Sequence, residues 1–386
     1  MSFLKANFRS SVGAARQADH LRRKKASLEV SRALNHPAEV VKRDNKYAVV
    51  SAVAPTQTNS VGINQDGTDF SYFIEAGIGS ASTPLFLLID TGAGTSWAMG
   101  SGCKSTACGM HNSFGPDDST TYKDSSHVFS IAYGSGSVAG TLAEDSISVA
   151  GLKVTMTFGI ANTTSDDFTH FPFDGILGLS MNKGATDNFM ASIKEDNLLG
   201  SNIFSVALSR NSDGQNTGEI TFGATNPDKF TGDITYTSVS SGSNGDWAVP
   251  MDGLSYDGKD AGISGRLAYI DTGTSYVFGP PDDVAAIHKV IPDASSSDGI
   301  TFTAPCDTDK PITVTFSGVK YTMSRKDWLS APSGSGVCTS NIYGHEVVKG
   351  SWLLGDLFLK NVYAVFDVDK TRIGKVPLIV SYHQQH

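Results

Sequence analysis

The sequence contains little cysteine, little charge and no long apolar run. Of its 386 residues, 4 are Cys and 18% are charged. Its longest apolar run, LFLLI at 85–89, is far shorter than the ~18 residues that a membrane helix needs. The polar ending SYHQQH carries no C-terminal lipid-anchor signal. The opening MSFLKANFRS has no apolar centre of a secretory signal, so either the signal was removed or the chain is not secreted.

The remaining composition is that of a folded protein with more than one core. With 39% hydrophobic residues, the chain has enough apolar material to exclude general disorder. Because domains usually run about 100–200 residues, a chain of 386 residues is expected to form two domains or lobes. Its net charge of −9 argues against nucleic acid as a partner.

Charge is divided unevenly along the chain. Residues 1–46 hold 11 Lys and Arg against 4 Asp and Glu, a net +7, and the rest holds 19 against 35, a net −16. A basic leader and an acidic body attract each other, which predicts that the leader docks on the body. A solvated basic tail is the alternative.

The four cysteines form two close pairs in the sequence, Cys103 with Cys108 and Cys306 with Cys338. Neither pair has the CxxC spacing of a zinc or thioredoxin site. Two local disulfides would fit an oxidising compartment, and four free thiols are the alternative. Asn162 begins an Asn-Thr-Thr triplet and is a candidate for glycosylation.

The local patterns predict a mostly β protein. Residues 14–34 are helical in character, and 35–60 resemble a linker. From about residue 61, short runs such as FSIAY (129–133), TVTFS (313–317) and YAVFDV (363–368) alternate with period two. Helices are predicted only at 187–199 and 281–291 in this part. Five histidines lie in no metal-ligand or triad pattern and are expected at the surface: His111, His127, His170, His288 and His345.

An internal repeat is the strongest signal in the sequence. LLIDTGAGTSW at 87–97 is matched by AYIDTGTSYVF at 268–278. Each is followed by two aliphatic residues and a glycine, ending at Gly178 and Gly355, which lie 88 and 84 positions after Asp90 and Asp271. A single Asp-Thr-Gly is a common turn, but two with matched downstream elements predict two similar lobes.

The repeated turns suggest a chemistry. If they face each other, Gly92 and Gly273 allow tight turns, and the carboxyl groups of Asp90 and Asp271 meet between the lobes. Two carboxyl groups that close share a proton, so one acts as acid and the other as base. Such a pair can polarise a water molecule for attack on a carbonyl group without a metal or a covalent intermediate.

Five segments resemble the pepsin-like aspartic endopeptidases, particularly secreted fungal ones: IDTGAGTSW, IAYGSGS, FDGILGLS, IDTGTSYV and SWLLGDLFLKNVYAVFDVDKTRIG. The resemblance runs in order and spacing from about 61 to 380. It implies an all-β bilobal fold with pseudo-twofold symmetry, few short helices and a cleft between the lobes. It also implies that Asp90 and Asp271 are catalytic, that no metal or cofactor is needed, and that five residues support the pair: Thr91, Gly92, Thr272, Gly273 and Thr274.

The same resemblance implies a flap over the cleft. Tyr133, Gly134 and Ser135 match its tip, and Trp97 matches the tryptophan that hydrogen-bonds the tyrosine. Leu88, Phe173 and Ile176 match the apolar substrate pocket. A further position that lines this pocket matches either Asp167 or Phe168, because a gap in the match to the family leaves two positions open. The cysteines match the disulfides Cys103–Cys108 and Cys306–Cys338.

Two departures from the family pattern carry information. Ala93 stands where the family usually has a hydroxyl residue three positions after the first Asp, whereas Thr274 keeps that hydroxyl in the second lobe. One lost donor is expected to raise the apparent pKa of the pair and to displace the acidic optimum upward. Ser135 stands where fungal relatives that accept Lys carry Asp, so large apolar side chains are the expected preference.

The leader resembles a prosegment that blocks the cleft until acid loosens it. Lys46-Tyr47 resembles the pair that inserts at the catalytic aspartates, and maturation is expected within 43–60, by self-cleavage or by another protease after Lys42-Arg43. The predicted division is a prosegment at 1–56, an N-terminal lobe at 57–240 and a C-terminal lobe at 241–386.

The sequence therefore predicts an acid-active, secreted aspartic endopeptidase in proenzyme form that cleaves polypeptides between large apolar residues. A monomer is expected, because both aspartates lie in one chain. A vacuolar location is the alternative to secretion. A catalytically dead relative that only binds is the rival function, although such proteins usually lose an aspartate, a turn glycine or the flap tyrosine, all of which are present here.

Overall fold

The computed structural model describes residues 47–182, 184–332 and 336–378. The helix predicted at 14–34, Lys46 and most of the predicted prosegment lie outside the described residues. The fold is nearly all β, as predicted, and it contains two lobes and a sheet to which both halves of the chain contribute.

The first half of the chain contributes twelve strands. They are β1 (Ser60–Gly62), β2 (Asn64–Gln65), β3 (Tyr72–Ile78), β4 (Thr83–Asp90), β5 (Trp97–Met99), β6 (Lys123–Tyr133), β7 (Gly136–Val149), β8 (Leu152–Thr164), β9 (Gly175–Gly178), β10 (Ile203–Ala207), β11 (Glu219–Phe222) and β12 (Thr235–Ser238). Eight of them form the sheet of the first lobe, in the order β2-β3-β4-β9-β5-β8-β7-β6.

The second half contributes thirteen strands. They are β13 (Ala248–Met251), β14 (Gly253–Tyr256), β15 (Lys259–Asp260), β16 (Arg266–Ile270), β17 (Val277–Gly279), β18 (Thr303–Pro305), β19 (Ile312–Phe316), β20 (Val319–Met323), β21 (Val337–Thr339), β22 (Ile342–Gly344), β23 (Trp352–Leu354), β24 (Val362–Asp367) and β25 (Arg372–Pro377). A five-stranded sheet, β13-β16-β23-β17-β22, carries the second repeat.

A six-stranded sheet joins the two halves, in the order β1-β11-β10-β24-β25-β12. Four of its strands come from the first half and two from the second. Aromatic rings pack on it, including Phe204 stacked on Phe366 with ring centroids 4.7 Å apart and Trp247 at 5.1 Å from Phe366. Burial of these rings ties the lobes together through one apolar core.

The described helices are short. They are α1 (Phe189–Glu195), α2 (Pro281–Lys289), α3 (Arg325–Trp328) and α4 (Asp356–Leu359), with 3-10 turns at Ala107–Met110, Pro116–Asp118, Asp166–His170, Asn211–Asp213, Pro227–Lys229 and Ser241–Ser243. α1 begins where the side chain of Asn188 accepts from the backbone N of Ala191 at 3.1 Å, and α2 begins with a proline. Both lie within the segments predicted as helical. None of the helices in the described parts of the chain is long and apolar enough to cross a membrane.

Disulfides join Cys103 to Cys108 and Cys306 to Cys338. Asn162 lies exposed on β8, and its glycosylation stays a prediction. The expectation that the histidines are at the surface is wrong for His111 and His288, which are both buried. His288 stacks on a phenylalanine in the second lobe, and burial lowers its pKa to about 4.

Candidate active site

The two Asp-Thr-Gly turns have the same construction. Asp90 is the last residue of β4, which runs parallel to β9 with Asp90 opposite Gly178. Asp271 directly follows β16, which runs parallel to β23 with Ile270 opposite Leu354. The apolar-Gly elements that follow each turn in the sequence are therefore the strands that lie beside it.

Two threonines cross-link the turns. The hydroxyl of Thr91 donates to the carbonyl O of Ile270 at 2.8 Å, and the hydroxyl of Thr272 donates to that of Ile89 at 2.7 Å. Each hydroxyl also accepts from the backbone N of the other threonine at 3.0 Å. Four hydrogen bonds between buried groups thus fix one lobe against the other directly below the aspartates.

The glycines of the turns let the carboxyl groups approach. The backbone N of Gly92 donates to Oδ1 of Asp90 at 2.9 Å and to Oδ1 of Asp271 at 3.1 Å, and the N of Gly273 donates to Oδ1 of Asp271 at 2.9 Å. A Cβ atom at Gly92 would lie 2.7 Å from Oδ1 of Asp271, and one at Gly273 would collide with Asp90. A side chain at either position would push the aspartates apart.

The electrostatics of the pair are asymmetric. Asp90 and Asp271 are 7% and 8% exposed. Burial raises the pKa of Asp90 well above its usual range, and the charge of Asp271 and a hydrogen bond to its carboxyl group raise it further. The hydroxyl of Thr274 donates to Oδ2 of Asp271 at 2.6 Å, whereas the methyl group of Ala93 offers Asp90 no such donor. Such a pair can share one proton and hold it on Asp90.

The residues predicted to form the flap lie in a hairpin of β6 and β7. Gly134 and Ser135 make its two-residue turn, between the paired residues Tyr133 and Gly136, and both turn residues are exposed. Nε1 of Trp97 donates to the hydroxyl of Tyr133 at 2.8 Å. The tryptophan therefore holds the ring of Tyr133 in place.

The predicted pocket residues belong to the apolar cluster against which this ring packs. Leu88 and Ile176 are opposite each other in β4 and β9, two residues before Asp90 and Gly178. They share one buried apolar cluster with Phe173, against which Tyr133 also packs. Leu88, Ile176 and Asp90 are therefore positioned by the same pair of strands.

Phe168 is the residue that the sequence left unresolved. Its buried ring meets Trp97 edge-on with centroids 5.4 Å apart and Tyr133 at 6.4 Å, whereas Asp167 is exposed. The 3-10 turn Asp166–His170 sets these directions, and no periodic signal in the sequence predicts that turn. The cluster of aromatics at 168, 171 and 173 was the available clue.

Asp356 was not singled out from the sequence. It opens α4 directly after the second apolar-Gly element, and its backbone N donates to the carbonyl O of Thr274 at 2.7 Å. Burial raises its pKa well above the usual range, although Lys360 opposes this effect. The raised pKa favours the neutral form of this carboxyl group, which limits the negative charge near the pair.

Tyr47 does not lie where the resemblance to a prosegment placed it. Its hydroxyl donates to the carbonyl O of Thr169 at 2.6 Å, and its ring stacks on His111 at 5.2 Å rather than entering between the aspartates. Burial, followed by the charge of Asp174, raises its pKa to about 12. Tyr47 is therefore held by residues of the first lobe that are distant from it in the sequence, so the local sequence does not predict these contacts.

Comparisons with known proteins agree with this geometry. The eukaryotic aspartyl protease family matches residues 71–378. The aspartic-type endopeptidase ctsD of Aspergillus fumigatus is 44% identical over 339 residues, which cover 86% of this chain and 71% of that protein. The probable aspartic-type endopeptidase CTSD of Arthroderma benhamiae is 42% identical over 338 residues, covering 86% and 66%. Pepsin A of Sus scrofa is 34% identical over 322 residues, covering 80% and 82%.

The family match covers most of the described chain, including both turns, the flap hairpin and the pocket. The fungal relatives are named as endopeptidases, and the porcine relative is a pepsin. The chain thus belongs to the pepsin-like family of aspartic proteases, and it is an aspartic-type endopeptidase that acts on polypeptides.

Proposed function

We propose that Asp90 and Asp271 are the catalytic pair of an acid-active endopeptidase and activate a water molecule between them. The observation that carries this proposal is the pair itself. Two buried carboxyl groups hydrogen-bond to each other on cross-linked turns of the same construction. Nothing else in the described chain combines two acids in this way with an adjacent apolar cluster.

The hydrogen bonds assign a role to each aspartate. Oδ1 of Asp271 accepts from two backbone N–H groups and Oδ2 from Thr274, so negative charge is best stabilised there. Asp271 takes a proton from water as the oxygen attacks the peptide carbonyl carbon, and Asp90 gives its proton to the carbonyl oxygen. When the resulting diol collapses, Asp271 gives the proton that it took from water to the leaving nitrogen. A hydroxyl group of the diol returns a proton to Asp90.

The pocket and the flap give the specificity. Large apolar side chains adjacent to the cut fit the surface formed by Leu88, Phe173 and Ile176, and the flap adds main-chain hydrogen bonds to an extended substrate. Ser135 provides no charge for a lysine. A peptide library should show cleavage at large apolar residues, and Ser135→Asp should increase cleavage after Lys. Strong cleavage after Lys by the unchanged protein would contradict this preference.

The basic leader makes the chain a proenzyme in this proposal. Residues 1–46 carry +7 and the rest −16, so the leader is held at neutral pH by charge attraction. Acid protonates carboxylates on the body, weakens the attraction and lets the leader be cut. The mature enzyme is proposed to be a monomer, secreted or, as the alternative, vacuolar.

An intact-mass time course tests activation. The purified chain is shifted from neutral pH to about pH 4, where carboxylates begin to take up protons, with and without pepstatin. Loss of a fragment ending within 43–60, blocked by pepstatin, is the expected result. If no fragment is lost, the leader is removed and peptide hydrolysis is measured. Peptide hydrolysis at this stage would mean that another protease, and not the chain itself, removes the leader. Absence of hydrolysis would contradict the proposal.

A further inference from the structure

Residues 47–53 form an additional strand-like edge on the first lobe. The backbone N of Val50 donates to the carbonyl O of Gln65 at 2.8 Å, and the N of Gln65 donates back to the O of Val50 at 3.1 Å. Since β2 pairs on its other side with β3, this segment extends the sheet that carries Asp90.

Two asparagine residues fasten the segment. Nδ2 of Asn216 donates to the carbonyl O of Val50 at 3.0 Å, and the carbonyl O of Asn216 accepts from the N of Val53 at 2.9 Å. Oδ1 of Asn64 accepts from the N of Ala52 at 2.9 Å. These bonds satisfy backbone groups that would otherwise need water.

The apolar side chains of the segment are seated in the lobe. Val49 is 1% exposed and belongs to the cluster that contains Phe173. Tyr47 stacks on His111 and is hydrogen-bonded to Thr169. Burial of this kind is stabilising in proportion to the apolar area removed from water.

The seat of Tyr47 is connected to the flap. Thr169, which accepts from Tyr47, lies in the turn that carries Phe168. The ring of Phe168 packs against Trp97 and Tyr133, the two residues that set the flap. Residues 47–53 therefore brace the substrate pocket from behind.

The segment 47–53, which packs on the first lobe, carries no charged side chain. Residues 47–60 contain no Asp, Glu, Lys or Arg, whereas residues 1–46 contain 15. Protonation of the body weakens charge attraction but leaves apolar contacts and these neutral hydrogen bonds intact. Acid therefore weakens the charge attraction on residues 1–46, whereas the contacts of residues 47–53 are mostly apolar or neutral. His111, which stacks on Tyr47, and Asp174 beside it are titratable groups that face this segment.

From these observations we propose that processing occurs before Tyr47 and that residues 47–53 remain in the mature enzyme as a brace for the pocket. The inference rests on the proposed proenzyme function and narrows the processing region from 43–60 to its first few positions. Removal of the segment would expose the apolar surface that Val49 covers and leave the backbone N and O of Gln65 without their partner Val50, which would loosen the turn that holds Phe168.

The first experiment determines the amino terminus of the acid-processed protein by intact mass. A terminus at or before Tyr47 is expected, and any terminus after Tyr47 would overturn the proposal. If the chain does not process itself, thermolysin at neutral pH replaces acid. This protease cuts before apolar residues and should remove the leader but spare 47–53. That arm separates failure of the proposed activation from failure of this inference.

The second experiment compares Val49→Ala with Val53→Ala after processing. Both remove the same two methyl groups from one segment, but Val49 is 1% exposed and Val53 is 45% exposed. If the segment is retained, Val49→Ala lowers the Tm of the mature enzyme by about 2–4 °C and Val53→Ala leaves it unchanged. Identical Tm values for both mature variants and the unchanged enzyme would show that the segment had been lost.

Discussion

At the scale of single residues, the surroundings of Asp90 and Asp271 differ by one hydroxyl group. Thr274 donates to Asp271, whereas the corresponding position beside Asp90 is Ala93. The missing donor and burial both favour the protonated form of Asp90, in agreement with its raised pKa. The sequence alone identified this departure, because the two turns can be aligned residue by residue.

Ala93→Ser is predicted to restore the donor and lower the pKa of Asp90. Because Asp90 must be protonated for the reaction, the alkaline limb of the profile of kcat/KM against pH should move to lower pH. At a fixed pH on that limb, kcat/KM should fall by about 2–5-fold, the value of a modest hydrogen bond. Ala81→Ser, at an exposed loop position, is the control. An unmoved alkaline limb would contradict the assignment.

Lys375 shows what residue type alone does not predict. A lysine is expected at the surface, yet this one is buried in β25 with Nζ 4.2 Å from the centroid of the Phe316 ring. No hydrogen-bond partner for Nζ occurs in the described parts of the chain. Burial lowers its pKa from 10.5 to about 7.

Lys375→Met is predicted to stabilise the protein most at acidic pH. As the pH falls from 10.5 to about 7, the lysine takes up a proton in the unfolded chain but not in the folded one. The free energy of unfolding of the unchanged protein therefore decreases over this range, and below about pH 7 the loss is complete. The variant should gain a few kcal/mol in free energy of unfolding below about pH 7, and less as the pH rises. Denaturant unfolding of this variant and of the exposed Lys320→Met measures the gain. An equal gain at all pH values would contradict a buried ionisable lysine.

At the scale of elements, the site depends on two loops that meet across the lobes. Thr272 accepts from the N of Thr91 and donates to the carbonyl O of Ile89, and all of these groups are buried. The sequence predicted the repeat and the facing turns, since each follows an apolar strand. The sequence could not predict the orientation of the Phe168 ring or the contacts of Tyr47, because both depend on packing between segments that are distant in sequence.

Thr272→Val keeps the shape of the side chain and removes its hydroxyl group. Two buried backbone groups then lose their partners, so the free energy of unfolding should fall by roughly 2–5 kcal/mol. Activity should also fall, because the cross-link positions the aspartates. Thr322→Val, on the exposed face of β20, should change stability by less than about 0.5 kcal/mol. Denaturant unfolding of both variants measures this, and equal losses would argue against the cross-link.

At the scale of the whole molecule, a buried ion cluster joins the two halves. Nη2 of Arg210 lies 2.8 Å from Oδ2 of Asp327, and Nζ of Lys360 lies 3.1 Å from Oδ1 of Asp327 and 3.3 Å from Oδ2 of Asp69. Burial by itself would raise the pKa of Asp327, but Lys360 and Arg210 outweigh it and lower the pKa. The six-stranded sheet joins the same halves, and neither feature has a local sequence signal.

Asp327→Asn should remove the carboxylate that Arg210 and Lys360 share, leaving them only Asp213 and Asp69, and cost about 3–5 kcal/mol near neutral pH. Since the folded pKa of Asp327 is lowered, its stabilisation is lost as the pH falls through that value, and the gap to the unchanged protein should narrow there. Asp369→Asn breaks the exposed pair with Lys194 and should cost under about 1 kcal/mol. Urea unfolding near pH 6 and pH 3 distinguishes the two variants. If the difference in free energy of unfolding between Asp327→Asn and the unchanged protein is as large at pH 3 as at pH 6, a charged Asp327 at the centre of the cluster is contradicted.

Peptide hydrolysis by the proposed mechanism requires both buried aspartates. The most direct test measures kcat at about pH 4 on a peptide with large apolar residues at the cut, using chain freed of its leader. Asp90→Asn and Asp271→Asn are compared with the exposed Asp117→Asn. We expect a loss of roughly 10³-fold or more for each of the first two and less than about 2-fold for the third. Activity within about tenfold of the unchanged enzyme in either dyad variant would contradict the mechanism.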